Sequence, residues 1–119
     1  MRVLDRLERL YAIGGGPGAN RPHPSEAEDE AHELAARWMR EAGLEVESDA
    51  GGNLLGRSAA DEEVWVGSHL DTVPHGGMFD GALGVVASPP SSPPDVSGCT
   101  CESCNTSVAS KIDVTVFIC

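Results

Sequence analysis

A chain of 119 residues has room for one small domain, since compact domains fall mostly between roughly 50 and 250 residues. Its formal net charge of −11, from 19 acidic against 8 basic residues, argues against a nucleic-acid partner, because binding a polyanion needs clustered Lys and Arg. Aromatic residues make up only 4%, so a core must rest on Leu, Val and Ala with Trp38 and Trp65.

The segment Met1 to Leu10 mixes charges into its apolar residues and holds no uninterrupted apolar stretch, which predicts neither a secretory signal nor a membrane span. All four cysteines follow residue 98, a distribution that suits a reducing compartment, so a cytoplasmic location is expected. Val3, Leu4, Leu7, Leu10 and Tyr11 recur at helical spacing and predict a first amphipathic helix over 2–12, broken by the Gly14 to Gly18 run. That run has no preceding strand and no Lys-Ser/Thr pair, so it reads as a linker, not a phosphate loop.

A second helix is marked at both ends. Ser25 and Glu28 have capping-box spacing, Ala27, Ala31, Leu34, Ala35, Trp38, Met39 and Ala42 form one apolar stripe, and Gly43 suits a left-handed cap. Leu44 and Val46 alternate with Glu45 and Glu47, and the turn residues Asp49 to Gly52 precede Asn53 to Gly56, predicting two short paired strands. Val64 to Ser68 is a compact apolar run that reads as a strand buried on both faces of an α/β sheet. After a loop over 74–77, the small residues of Asp80 to Ala87 predict the start of a helix able to lie close on the sheet.

From Ser88 the character changes. Ser88 to Pro94 cannot continue a helix, Cys99 to Ser110 has no period, and Ile112 to Ile118 has strand character without an evident partner. The reading is therefore two unlike segments: 1–87 as part of a catalytic domain, and 88–119 as a Pro/Ser/Cys-rich tail, disordered or out of frame.

Chemistry is expected at the carboxyl end of the Val64 to Ser68 strand, because ligands of open α/β sheets bind outside the carboxyl ends of their strands. His69 and Asp71 stand there, and Asp80 follows on a Gly-rich turn. A neutral imidazole is a good zinc ligand, and a carboxylate can bridge two ions. Asp71, two residues after His69 in extended chain, returns to the same side and is placed to orient the histidine. One His and two Asp by themselves remain short of the three or four protein ligands of a zinc site.

Gly67 to Pro74 (GSHLDTVP), followed by Gly76-Gly77 and Phe79 to Val85 (FDGALGV), resembles the first metal-binding block of the hydantoinase/carbamoylase family, which contains N-carbamoyl-L-amino-acid hydrolases and allantoate amidohydrolases. Asn20 to Pro22, Ser25 to Asp29, Trp38 to Leu44 and Asp49 to Gly56 are similar in order and spacing, so the resemblance spans nearly all of 1–87. It implies an α/β chain: the N-terminal portion of a three-layer metallopeptidase-like catalytic domain, truncated, with an irregular C-terminal tail. It also implies two divalent ions (Zn, Mn or Co), with His69 a ligand to one, Asp80 the bridging carboxylate and Asp71 the group that positions the site. The implied reaction is hydrolysis of a linear amide or ureido C–N bond in a small N-carbamoyl amino acid or allantoate-like ureide.

The family's later glutamate pair, one of which is the general base, and its two further histidines are not found. After Asp80 there is no histidine, and the acids are Asp95, Glu102 and Asp113. His23 between prolines, His32 on the polar side of the second helix and His75 in a turn each have a plainer reading than ligand. Two protein donors do not hold a dinuclear centre, so this chain alone is expected to be inactive, without the family's homodimer contact, and to expose an apolar face that favours aggregation. Two other functions stay open: a noncatalytic, partner-binding segment, and a small zinc module of Cys99, Cys101, Cys104 and Cys119, whose single Cys-x-x-Cys pair departs from a zinc ribbon.

Overall fold

The computed structural model describes residues 2–58, 62–88 and 112–119, so the Pro/Ser run and Cys99 to Cys104 lie outside the described residues. Helix α1 (Val3–Ala12) buries Leu7 and Leu10 completely. Val3 and Leu4, expected on the same stripe, are 38% and 57% exposed.

Helix α2 (Glu26–Glu41) opens on Ser25, whose Oγ accepts the Glu28 backbone N–H at 3.1 Å. The reciprocal half of the capping box is replaced. Nδ1 of His23 lies 2.7 and 3.0 Å from the Glu28 carboxylate oxygens, which turns that carboxylate away from the Ser25 backbone. At the other end the Gly43 N–H donates to the Arg40 carbonyl and the Leu44 N–H to the Met39 carbonyl, with Gly43 at φ +86°, the paired bonds of a Schellman cap. The buried stripe holds Ala31, Leu34, Ala35, Trp38 and Met39 and gains Ala36, whereas Ala42 is exposed.

Strands β1 (Glu45–Ser48) and β2 (Leu54–Arg57) form the expected antiparallel pair, in register from Glu45 opposite Arg57 to Ser48 opposite Leu54. Their turn is fastened by Asp49, whose Oδ1 accepts from the Gly51 and Asn53 backbones and whose Oδ2 accepts from the Asn53 amide. Gly56 is buried where α2 crosses the hairpin. A Cβ there would lie 2.9 Å from both Leu44 Cδ1 and Met39 Sδ.

Strand β3 (Glu62–Ser68) leads through the site loop to helix α3 (Ala82–Ala87), and strand β4 (Ile112–Ile118) completes a four-stranded sheet of order β1-β2-β4-β3. The tail strand expected to lack a partner therefore has two. It runs antiparallel to β2 and parallel to β3, from Ile112 opposite Glu62 to Ile118 opposite Ser68. A run rich in β-branched residues supplies the backbone donors and acceptors that β2 and β3 would otherwise leave unpaired between them.

Placing β4 inside puts β3 at the edge of the sheet, and this corrects a second expectation. Val64 is 48% and Trp65 55% exposed, so the strand is not buried on both faces and Trp65 is no core residue. The Arg57 guanidinium lies 5.7 Å from the Trp65 ring centroid. The core instead gathers Leu7, Leu10, Leu34, Trp38, Leu70, Val86 and Ile118, where α1, α2 and α3 meet the sheet. Among the described residues no helix is long and apolar enough to cross a membrane.

Candidate functional site

The site is built on the short path from the end of β3 to the start of α3. Gly84 lets α3 lie directly on β3, for a Cβ there would sit 2.6 Å from Ser68 Oγ. The Ser68 hydroxyl donates to the Gly81 carbonyl at 2.7 Å and ties the last residue of the strand to the residue before the helix. Gly81 closes a γ-turn in which the Ala82 N–H donates to the Asp80 carbonyl at 2.7 Å, with φ +69° and ψ −52° at the glycine. Its missing side chain leaves room for the His69 ring: a Cβ would stand 2.6 Å from both Cε1 and Nδ1.

These contacts bring the three candidate residues together. His69 Nδ1 is 3.0 Å from the Asp71 carbonyl oxygen and 3.2 Å from Asp71 Oδ1, while Nε2 faces Asp80 Oδ1 at 3.6 Å. A carbonyl can only accept, so Nδ1 carries a hydrogen, and in the neutral ring Nε2 then presents its lone pair on the Asp80 side. The group is open to solvent, with side-chain exposures of 39% for His69, 43% for Asp71 and 61% for Asp80. As a donor set it fits one part of the shell of a single divalent ion and goes no further. Among the described residues no group of three or more His, Cys, Asp or Glu side chains is arranged to hold a metal.

The other histidines are engaged or placed elsewhere. His23 meets Glu28, and the His75 backbone, at φ 55°, donates to Asn20 Oδ1 at 2.8 Å. His32 is half-buried, not fully on the polar side, and its Nε2 is enclosed without a hydrogen-bond partner among the described residues.

The loop is held from beneath by a segment that carries no local mark in the sequence. Residues 19–21 lie along residues 70–76: Ala19 and Gly76 exchange both backbone hydrogen bonds, at 2.9 and 2.8 Å. Thr72 donates its N–H to the Arg21 carbonyl, and its hydroxyl oxygen accepts the Arg21 N–H. Arg21 is only 1% exposed, and its Nε and Nη1 donate to the carbonyls of Leu70 at 2.8 Å and Leu10 at 2.6 Å. Burial pushes its guanidinium below its ordinary pKa, and the negative charge of Asp71 opposes that shift. In the sequence an Arg between Asn20 and Pro22 carries no mark of burial; its partners lie 11 and 49 residues away.

No protein-family model matches the chain. Over 92 residues it is 47% identical to an N-carbamoyl-L-amino acid amidohydrolase of Geobacillus stearothermophilus, a match that covers 72% of this chain and 22% of that protein. Over 91 residues it is 40% identical to allantoate deiminase 2 of Glycine max, covering 70% of this chain and 19% of that protein. Among solved structures, a hydantoinase/carbamoylase family amidase from Burkholderia phymatum aligns at 40% identity and TM-score 0.65, over 71% of this chain and 22% of the other. One from Burkholderia ambifaria aligns at 29% identity and TM-score 0.71, over 98% of this chain and 28% of the other.

A His-x-Asp strand end facing an Asp-Gly helix start, on a sheet with this topology, thus defines an α/β segment of metallopeptidase-like fold. More narrowly, the chain belongs to the hydantoinase/carbamoylase family and spans about a fifth of the length of the curated relatives it matches.

Proposed function

We propose that the chain carries the His69–Asp80 arm of a metal-dependent amidohydrolase acting on linear amide or ureido C–N bonds, with N-carbamoyl amino acids or allantoate-like ureides as the substrate class. The observation that supports the reading is the approach of the His69 Nε2, on a ring whose Nδ1 is engaged by Asp71, to the Asp80 carboxylate at 3.6 Å. His69 and Asp80 would hold the ion and Asp71 would keep the ring in place; a bound divalent ion supplies Lewis acidity toward a substrate carbonyl. With two donors the chain by itself binds such an ion weakly and does not turn over substrate, since each lost ligand lowers affinity.

Manganese titration followed by nuclear magnetic resonance tests the site. Broadening centred on His69 and Asp80 that disappears in His69→Ala and Asp80→Asn is the expected result; broadening indifferent to both substitutions defeats the reading. Parallel assays with N-carbamoyl amino acids and allantoate, with added zinc, manganese or cobalt, are expected to give no turnover. Hydrolysis lost in His69→Ala would overturn the inactivity. The exposed Val64 and Trp65 on an edge strand favour a second reading, a noncatalytic segment that binds a protein partner.

A further inference from the structure

Arg21 is the most deeply buried charged group described, at 1% exposure, and it makes no ion pair among the described residues. A guanidinium out of water is costly unless its surroundings compensate it. Two of its donors meet carbonyl oxygens, and the carboxylate whose field acts on it is Asp71.

The connections of Arg21 bracket that same residue. Its Nε holds the Leu70 carbonyl, which belongs to the peptide group before Asp71. Its own carbonyl accepts the Thr72 N–H, which belongs to the peptide group after Asp71, and its backbone N–H reaches Thr72 Oγ1 at 2.9 Å. Thr72 is fixed again by its hydroxyl, which donates to the Ala19 carbonyl at 3.2 Å. Both peptide planes flanking Asp71 are therefore anchored to one buried side chain and its backbone. Asp71 in turn presents both its carbonyl and its carboxylate to His69 Nδ1.

We propose that Arg21 is a positioning residue for His69: by clamping the peptide groups on either side of Asp71 it holds the Asp71 carbonyl where it receives the Nδ1–H, so that the neutral ring keeps its Nδ1–H tautomer with Nε2 toward Asp80. The inference deepens the metal-site reading above, but its readout requires neither metal nor turnover. A role confined to tying α1 to the loop would change stability without changing which ring nitrogen carries the hydrogen.

Long-range proton–nitrogen correlation spectra of the His69 ring, recorded at alkaline pH where the imidazole is neutral, report the tautomer directly. The unsubstituted chain is expected to show a protonated Nδ1 and an unprotonated Nε2. Arg21→Gln, which keeps a donor and removes the charge, is expected to lose that preference, and Arg21→Lys to restore it in part. An Arg21→Gln chain with a native-like amide spectrum and an unchanged His69 tautomer overturns the proposal. Should Arg21→Gln fail to fold, Thr72→Val, which removes the hydroxyl that accepts the Arg21 N–H and donates to the Ala19 carbonyl, reads the same clamp. Loss of the Nδ1–H signature in that variant supports the proposal, and an unchanged signature overturns it. Manganese that ignores His69 while the tautomer follows Arg21 would sink the metal reading alone; manganese bound at His69 with an indifferent tautomer would sink this inference alone.

Discussion

Replacing Gly81 by Ala is the sharpest test of how the site is held. At φ +69° and ψ −52° the residue occupies a turn conformation strained for any L side chain, a penalty of about 1–3 kcal/mol. The new Cβ would also stand 2.3 Å from the His69 carbonyl oxygen and 2.6 Å from the ring, and such overpacking adds about 1–3 kcal/mol. The sum, about 2–6 kcal/mol, is a large share of the roughly 5–15 kcal/mol that holds an ordinary domain together. Gly52→Ala is the control. It shares a positive φ, +82°, but a Cβ there meets nothing within 4 Å, so it loses only the conformational term, about 1–2 kcal/mol. With a urea slope of about 1–3 kcal/mol per M, Gly81→Ala should lower the unfolding midpoint by about 1 M or more, and Gly52→Ala by distinctly less. Equal shifts in the two variants would refute the claim that contact with His69, and not backbone strain alone, makes Gly81 obligatory.

Ser25→Ala should cost about 1 kcal/mol in urea unfolding, because the Glu28 N–H loses its cap. Leu70→Ala, at a fully buried position, should cost about 2–5 kcal/mol and lower the thermal midpoint accordingly. Hydrogen bonds from the Asn53 side chain, then from its backbone, hold the Asp49 carboxyl below its ordinary 3.8. Its folded value lies under the unfolded one, so its contribution is complete above about pH 4 and is lost as pH falls through the lowered value. Carboxyl titration in Asn53→Ala should show Asp49 moving back up toward the ordinary value. Trp65→Lys, at a 55% exposed edge-strand position, should reduce self-association in light scattering while leaving the midpoint nearly unchanged.

The elements legible in the sequence are those whose signals are local. Helix α2 carries Ser25 at one end and Gly43 at the other, and the β1–β2 hairpin carries its turn chemistry within the five residues Asp49 to Asn53, so each can be read within a short window. The neighbourhood of His69, Asp71 and Asp80 was legible for a similar reason, since the strand end and the helix start are separated by a short loop. Three features were not. The parallel pairing of β4 with β3 links residues about 50 apart, and a parallel register leaves no turn residue to mark it. The apolar run around Trp65 reports its own hydropathy but not which neighbours cover it, and the edge position leaves it uncovered. Arg21 looks like a loop cation because its burial is produced by Leu10, Leu70 and Thr72, each distant in sequence.

What would limit this site as a metal centre is the number of donors and not their aim. The His69 ring is fixed on one side by Asp71, is given its space by Gly81, and faces Asp80 across a turn that Ser68 ties to the strand. All of that order comes from residues 68–81 and the strut at 19–21, and none of it requires an ion. A further donor placed beside Nε2 has to come from a neighbouring element, and the register makes the carboxyl end of β4 the adjacent position, since Ile118 lies opposite Ser68. Cys119 stands there, but its N–H and its thiol both turn back to the Ser68 carbonyl, at 3.1 and 3.4 Å. That contact continues the sheet by one more residue and uses the position for backbone pairing. His69 and Asp80 are left as a preorganised, solvent-open pair, in which water would compete for every coordination position the protein does not fill.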